Sequence, residues 1–170
     1  FFSKSLSPFT MNQSQKKGKR FEFLDVTSAQ TGASEPAPLE CPNLLHDGVS
    51  YVGQCINPKC KFGKDKKTVS CPRGYGEEIY PYRDWFKSKN KLPNKHPVEC
   101  PACNEPFIIQ EVTLYKCECT ITYQFYAAKE FDTAKYNPSG KEYVSLGKGV
   151  DGAVIWKEYS YLELSITKNK

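Results

Sequence analysis

Apolar and polar positions alternate with a period of two in most of the chain's apolar stretches, and that pattern predicts strands rather than helices. Residues 49–55 (VSYVGQC), 106–117 (PFIIQEVTLYKC), 120–128 (TITYQFYAA) and 136–146 (YNPSGKEYVSL) carry β-branched and aromatic residues at alternate positions. The 106–117 and 120–128 segments meet near Cys117–Cys119, and within 136–146 Asn137-Pro138-Ser139-Gly140 sets a turn that a strand follows. Residues 21–26 (FEFLDV) and 67–71 (KTVSC) read as two shorter strands. Residues 153–167 close the chain as a strand, although the alternation at Tyr161, Leu162, Leu164 and Ile166 is imperfect. The helix expected is short, residues 81–91 (PYRDWFKSKNK), bracketed by Pro81 and Pro93. The class that follows is mainly β, antiparallel, with one short helix.

The chain's first 40 residues read differently. Residues 1–20 contain five basic residues and no acid, and are rich in Ser. Residues 27–40 (TSAQTGASEPAPLE) are small, polar and Pro-containing, the composition of a linker. The expected division is an extended arm and linker over 1–40 and a folded domain over 41–170, so that removing residues 1–30 should leave the fold intact. A segment of this composition cannot bury enough apolar surface to order itself. It therefore points to a partner surface, with Phe1, Phe2, Lys16, Lys17, Lys19 and Arg20 as the candidate contacts. A basic, Ser-rich, acid-poor start is also the composition of a mitochondrial targeting segment.

Charge adds little. The net formal charge is +5 and the pI near 8.7, which is mild for a dedicated nucleic-acid binder. The lysines are spread, apart from the cluster in the arm and one at Lys61, Lys64, Lys66 and Lys67, and both read first as solvated faces. No apolar run approaches the roughly 20 residues of a transmembrane helix.

The eight cysteines change the picture more. Cys55 and Cys60 form a C-x4-C pair; 39 residues later Cys100 and Cys103 form a C-x2-C pair. Two tight turns, each presenting two thiolates, are the usual way a chain builds a tetrahedral zinc site. Disulfides and unrelated free thiols are the competing readings. Disulfides between cysteines with two residues between them tend to be strained or redox-active, and a thioredoxin-like site would place its C-x2-C at a helix N-terminus, whereas Pro106 and a strand follow here. The favoured reading is one Zn2+ held by Cys55, Cys60, Cys100 and Cys103, giving a small zinc-ribbon-like domain in a reducing intracellular compartment. A second zinc on Cys41, His46, Cys117 and Cys119 is arithmetically available. The alternative for those cysteines is burial as small hydrophobes.

Catalytic patterns are missing. Four thiolates leave no open metal position. The sequence has no H-x-E, no phosphate-cradling G-x-x-x-x-G-K, and no dinucleotide fingerprint. The turn at residues 74–78 (GYGEE) puts acids where phosphate would be repelled. A non-enzyme without a small-molecule substrate is expected.

The succession GQCINPKC (53–60), GYG (74–76), CPAC (100–103), YKC (115–117) and GAVIW (152–156) resembles a group of protist and fungal proteins carrying a small zinc-binding module, sometimes beside ubiquitin-like or other signalling domains. The resemblance implies a β-rich fold around one zinc on the four named cysteines, and no activity. The chain departs from that pattern by adding Cys41, Cys71, Cys119 and the 40-residue arm. The functional expectation is a zinc-stabilised structural or interaction subunit of a larger protein assembly, contacting its neighbours through the arm and an aromatic surface. A ribosome-associated nucleic-acid binder is the alternative. A RING-type adaptor would need a second zinc.

Overall fold

The computed structural model describes residues 20–34, 45–80, 98–105 and 107–170. It is mainly β, with strands β1 (Phe21–Leu24), β2 (Ala29–Ala33), β3 (Gly48–Gln54), β4 (Thr68–Gly74), β5 (Gly76–Tyr80), β6 (Ile108–Tyr115), β7 (Cys117–Phe125), β8 (Asp132–Tyr136), β9 (Glu142–Leu146) and β10 (Trp156–Lys168). One helical turn, α1 (Lys61–Lys64), stands between β3 and β4. The helix expected over 81–91 lies outside the described residues.

Among the described residues the strand pairings are antiparallel and fall into two sheets. One sheet runs β2-β9-β6-β3-β4; the other runs β1-β10-β7-β8, with β5 sharing the β1 side of β10. Consecutive strands often belong to different sheets. β6 and β7 do not form a hairpin: the chain passes from one sheet to the other through Lys116 alone, at φ 49°. β4 becomes β5 the same way at Tyr75, between Gly74 (φ 72°) and Gly76 (φ 128°), where glycine meets no steric penalty. Such corners let one continuous stretch of chain close a sandwich.

The core lies between the sheets, where Tyr51, Leu114, Leu146, Ile121, Leu162 and Leu164 are fully buried. The irregular alternation of β10 has a local cause. A bulge between Tyr159 and Tyr161 absorbs one residue, so Tyr159 faces inward and the inward series resumes at Leu162, Leu164 and Ile166. Among the described residues two carboxylates are buried, Asp25 and Glu78; Glu78 is 3% exposed, 3.3 Å from Arg73 Nε, and accepts a hydrogen bond from the Tyr51 hydroxyl (3.2 Å).

The expected boundary at residue 40 is corrected. β1 pairs with β10 (Phe21 opposite Tyr159) and β2 pairs with β9, so residues 21–33 contribute to both sheets. Phe23, Leu24 and Val26 are buried. The Tyr159 hydroxyl donates to the Leu24 carbonyl (2.6 Å) and accepts from the Val26 N–H (3.1 Å), while the Tyr136 hydroxyl donates to the Val26 carbonyl (2.8 Å). β2 reads as linker because it is an edge strand whose residues are all at least partly exposed, so its sequence needs no apolar face. Burial of Phe23, Leu24 and Val26 at about 1.5–3 kcal/mol each is comparable with a whole domain's stability of about 5–15 kcal/mol. Deleting residues 1–30 should therefore abolish the cooperative thermal transition, and deleting residues 1–19 should retain it, as circular dichroism melts would show.

Candidate metal centre

Two segments build the centre. The first leaves β3 at Gly53-Gln54-Cys55. A Cβ at Gly53 would lie 1.8 Å from the Ile108 carbonyl oxygen, so only glycine lets β3 and β6 approach there. A register shift between Val52 and Gly53 accompanies that approach. Residues 55–67 then form a long loop between β3 and β4. The Cys60 N–H donates to the Asn57 carbonyl (3.0 Å), and Cys60 caps α1, its Sγ accepting from the Phe62 N–H at 3.4 Å. Gly63 presses against the loop, where an added Cβ would meet the Asn57 carbonyl oxygen at 2.2 Å.

The end of α1 is closed by paired backbone bonds, Lys67 N–H to the Phe62 carbonyl (2.9 Å) and Lys66 N–H to the Gly63 carbonyl (3.2 Å). This is a Schellman arrangement, whose left-handed position usually holds glycine. Here Lys66 occupies it, at φ 54°.

The second segment repeats the same local chemistry. The Cys100 N–H donates to the Glu105 carbonyl (2.8 Å), the Asn104 N–H to the Cys100 carbonyl (2.9 Å), and the Ala102 N–H to Cys100 Sγ (3.4 Å). Asn104, at φ 61°, turns the chain towards β6. The centre thus joins the β3–β4 loop to the segment ahead of β6, at one end of their shared ladder.

The four sulfurs of Cys55, Cys60, Cys100 and Cys103 all lie within 4.8 Å of one another. Cys55 and Cys103 are 3.7 Å apart at Sγ, and Cys60 and Cys100 are 3.8 Å apart. A metal about 2.3 Å from each of four tetrahedral sulfurs gives edges of about 3.8 Å. The spacing fits a tetrathiolate metal centre and is far beyond a sulfur–sulfur bond; all four cysteines are free. Cys55, Cys60 and Cys100 are buried and Cys103 is half-buried. Burial pushes the Cys55 thiol up to about 12 and also raises Cys100, whereas the Gly63 amide, ahead of that of Phe62, pulls Cys60 down to about 7. A bound cation would relieve the cost of burying these sulfurs as thiolates.

The other candidates fare differently. Among the described residues no second cluster of metal-binding side chains has comparable spacing. Cys41 lies outside them, His46 is exposed, and Cys117 and Cys119 are buried on the inward face of β7, where burial raises both thiols. Cys71 is half-buried on β4, opposite Tyr51. Of the candidate partner contacts, Phe1, Phe2, Lys16, Lys17 and Lys19 lie outside the described residues. Arg20 is placed within the fold itself, its Nε 3.4 Å from the Glu158 carboxylate and its guanidinium 4.7 Å above the Tyr126 ring. Sequence reasoning missed Gly63 and the left-handed Lys66. The KFGK glycine was the available signal for the first; nothing in composition marks the second.

Replacing Cys100 with Ala should remove bound metal and lower the melting temperature by more than about 10 °C, since losing a ligand costs metal-binding energy that is also folding energy. Cys119→Ala should keep one metal per chain, as elemental analysis of both proteins would show. Lys66→Gly should stabilise the fold by about 1 kcal/mol by relieving a left-handed Cβ, read as a melting temperature about 2–4 °C higher.

No family model, no curated protein and no solved structure matches this chain.

Proposed function

We propose that this chain is a non-catalytic, zinc-stabilised interaction module that works as a subunit of a larger protein assembly. The observation that carries the reading is the closed set of four sulfurs at tetrahedral spacing. Thiolate ligands are soft, and a tetrahedral four-sulfur set is the signature of structural zinc, with no position left for substrate or water. Thiols kept free for a metal belong in a reducing compartment, which supports an intracellular location.

The arm supports the assembly half of the reading. Arg20, the residue that follows the basic segment in the sequence, leans on Tyr126. Tyr126, 38% exposed, stands beside Arg20, and its N–H bonds the Glu158 carbonyl (2.9 Å); Trp156, 46% exposed, lies opposite Leu24 at the other end of β1. Exposed aromatics along the β1–β10 edge, one of them against Arg20, make a surface suited to a protein partner.

The test uses a photo-crosslinking residue at position 126 or 156 of the full chain, expressed in its native cells. A discrete heteromeric adduct, lost when residues 1–19 are deleted while zinc stoichiometry and the melting transition are kept, is the expected outcome. A folded, zinc-loaded chain that crosslinks only to itself or to nothing would reject the assembly reading. Absence of zinc would reject the module reading.

A further inference from the structure

The charge of this protein is unevenly placed. The first 20 residues hold five of the 24 Lys and Arg and none of the 19 Asp and Glu, so residues 21–170 are net neutral. Within them, the metal-centre loop over 56–67 carries Lys59, Lys61, Lys64, Lys66 and Lys67 against a single Asp65. All five lysines are exposed, and among the described residues none pairs with a carboxylate. The remainder of the domain is correspondingly acidic. A divalent ion on four thiolates would leave two negative charges, but the Phe62 and Ala102 amides already donate to those sulfurs, so five lysines exceed what the centre needs.

Two further features separate this loop from a merely solvated one. Lys66 holds the left-handed position where glycine would fold better, so the loop carries a cation at a conformational cost. The same loop exposes an aliphatic side chain, Ile56, at 62%, and Ile108, opposite Gln54 in the adjoining ladder, at 45%.

We infer that the lysine-rich loop of the metal centre is a docking surface for an anionic lipid bilayer, with lysines meeting the headgroups and Ile56 entering the acyl boundary. The inference rests on the metal holding this loop in shape. The chemistry of the patch decides between polyanions. The loop has no arginine, the residue suited to bidentate phosphate recognition. Its one aromatic, Phe62, packs against the core and offers bases no stacking platform. Lysine is depleted at protein–protein interfaces. Point charges around an exposed aliphatic residue suit a fluid anionic surface, where each lysine adds attraction without fixed geometry. The acidic remainder of the domain would be repelled by that surface, which orients the loop towards it.

The experiment is co-sedimentation of the zinc-loaded full chain with vesicles of phosphatidylcholine alone, and of phosphatidylcholine with 30 mol% phosphatidylserine, at about physiological salt. Zinc content and melting temperature are measured on every protein. Binding should require phosphatidylserine. Lys66→Gly should weaken it about fivefold while melting no lower than the parent, and Lys64→Glu with Lys67→Glu should weaken it at least about 25-fold. Ile56→Ser should weaken it about tenfold. Equal binding to both vesicles, no binding to either, or undiminished binding by the lysine variants would overturn the inference. So would tight binding of a 20-nucleotide single-stranded RNA by a chain that ignores both vesicles, which would reassign the loop to nucleic acid. If the chain carries no zinc, the metal reading has failed; if it carries zinc, melts cooperatively and ignores the vesicles, the membrane inference alone has failed.

Discussion

Four sulfurs brought within one tetrahedron set the terms for this end of the molecule. The pairs come from segments 39 residues apart, and three of the four side chains are buried. Neither segment has a reason to hold its shape without the other. The 55–67 loop has a single helical turn, too short to persist alone, and the 98–105 segment has backbone turns and a single bridge residue, Glu99. A bound metal would convert this weakness into a fixed corner, because its coordination energy would be available only when both turns are formed. Gly53 and Gly63 serve the same end by removing the Cβ atoms that would hold the turns apart.

The rest of the molecule does not lean on that corner alone. Two sheets share an interior of aliphatic and aromatic side chains, and β10 spans it, pairing with β7 along one side and with β1 and β5 along the other. The aromatic content that looks excessive in the sequence is spent largely here: Tyr159 stacks on Phe21 at 5.7 Å and lies 5.2 Å from Phe125, while Phe23 packs 4.9 Å from Tyr80. Tyrosine suits such a site because its ring fills volume and its hydroxyl satisfies backbone groups at the β1–β2 corner.

What could be read from the sequence follows from where information is local. Strands β3, β4, β6, β7, β9 and β10 announce themselves by apolar, β-branched and aromatic residues that meet the core, in β7 by strict alternation and in β3 with nearly every position buried. The four-sulfur cluster was legible from spacing, because a tight turn with two ligands is a local event. β2, β5 and β8 were not legible: their polar edge sequences pair through backbone groups, which the side chains do not report. The passage of β6 into β7 was hidden for another reason. A single residue at φ 49° decides whether two strands form a hairpin or part into separate sheets, and Lys116 carries no glycine signature. The buried Glu78 likewise looked like part of an acidic turn, and only the placement of Arg73 and Tyr51 around it explains its position.

The pairing of β1 with β10 also has a consequence in time. Phe21 must wait for Tyr159, 138 positions later, before either ring is covered. At about 5–20 residues per second of synthesis, that interval is roughly 7–28 s. Both cysteine pairs have been made by residue 103, and β3 and β4 by residue 74. A nascent chain can thus close its metal corner on a β3–β4 hairpin while the aromatic strand at its beginning is still uncovered. The order of emergence leaves β1 uncovered until β10 is made, and would give a metal on the four cysteines a head start over the core.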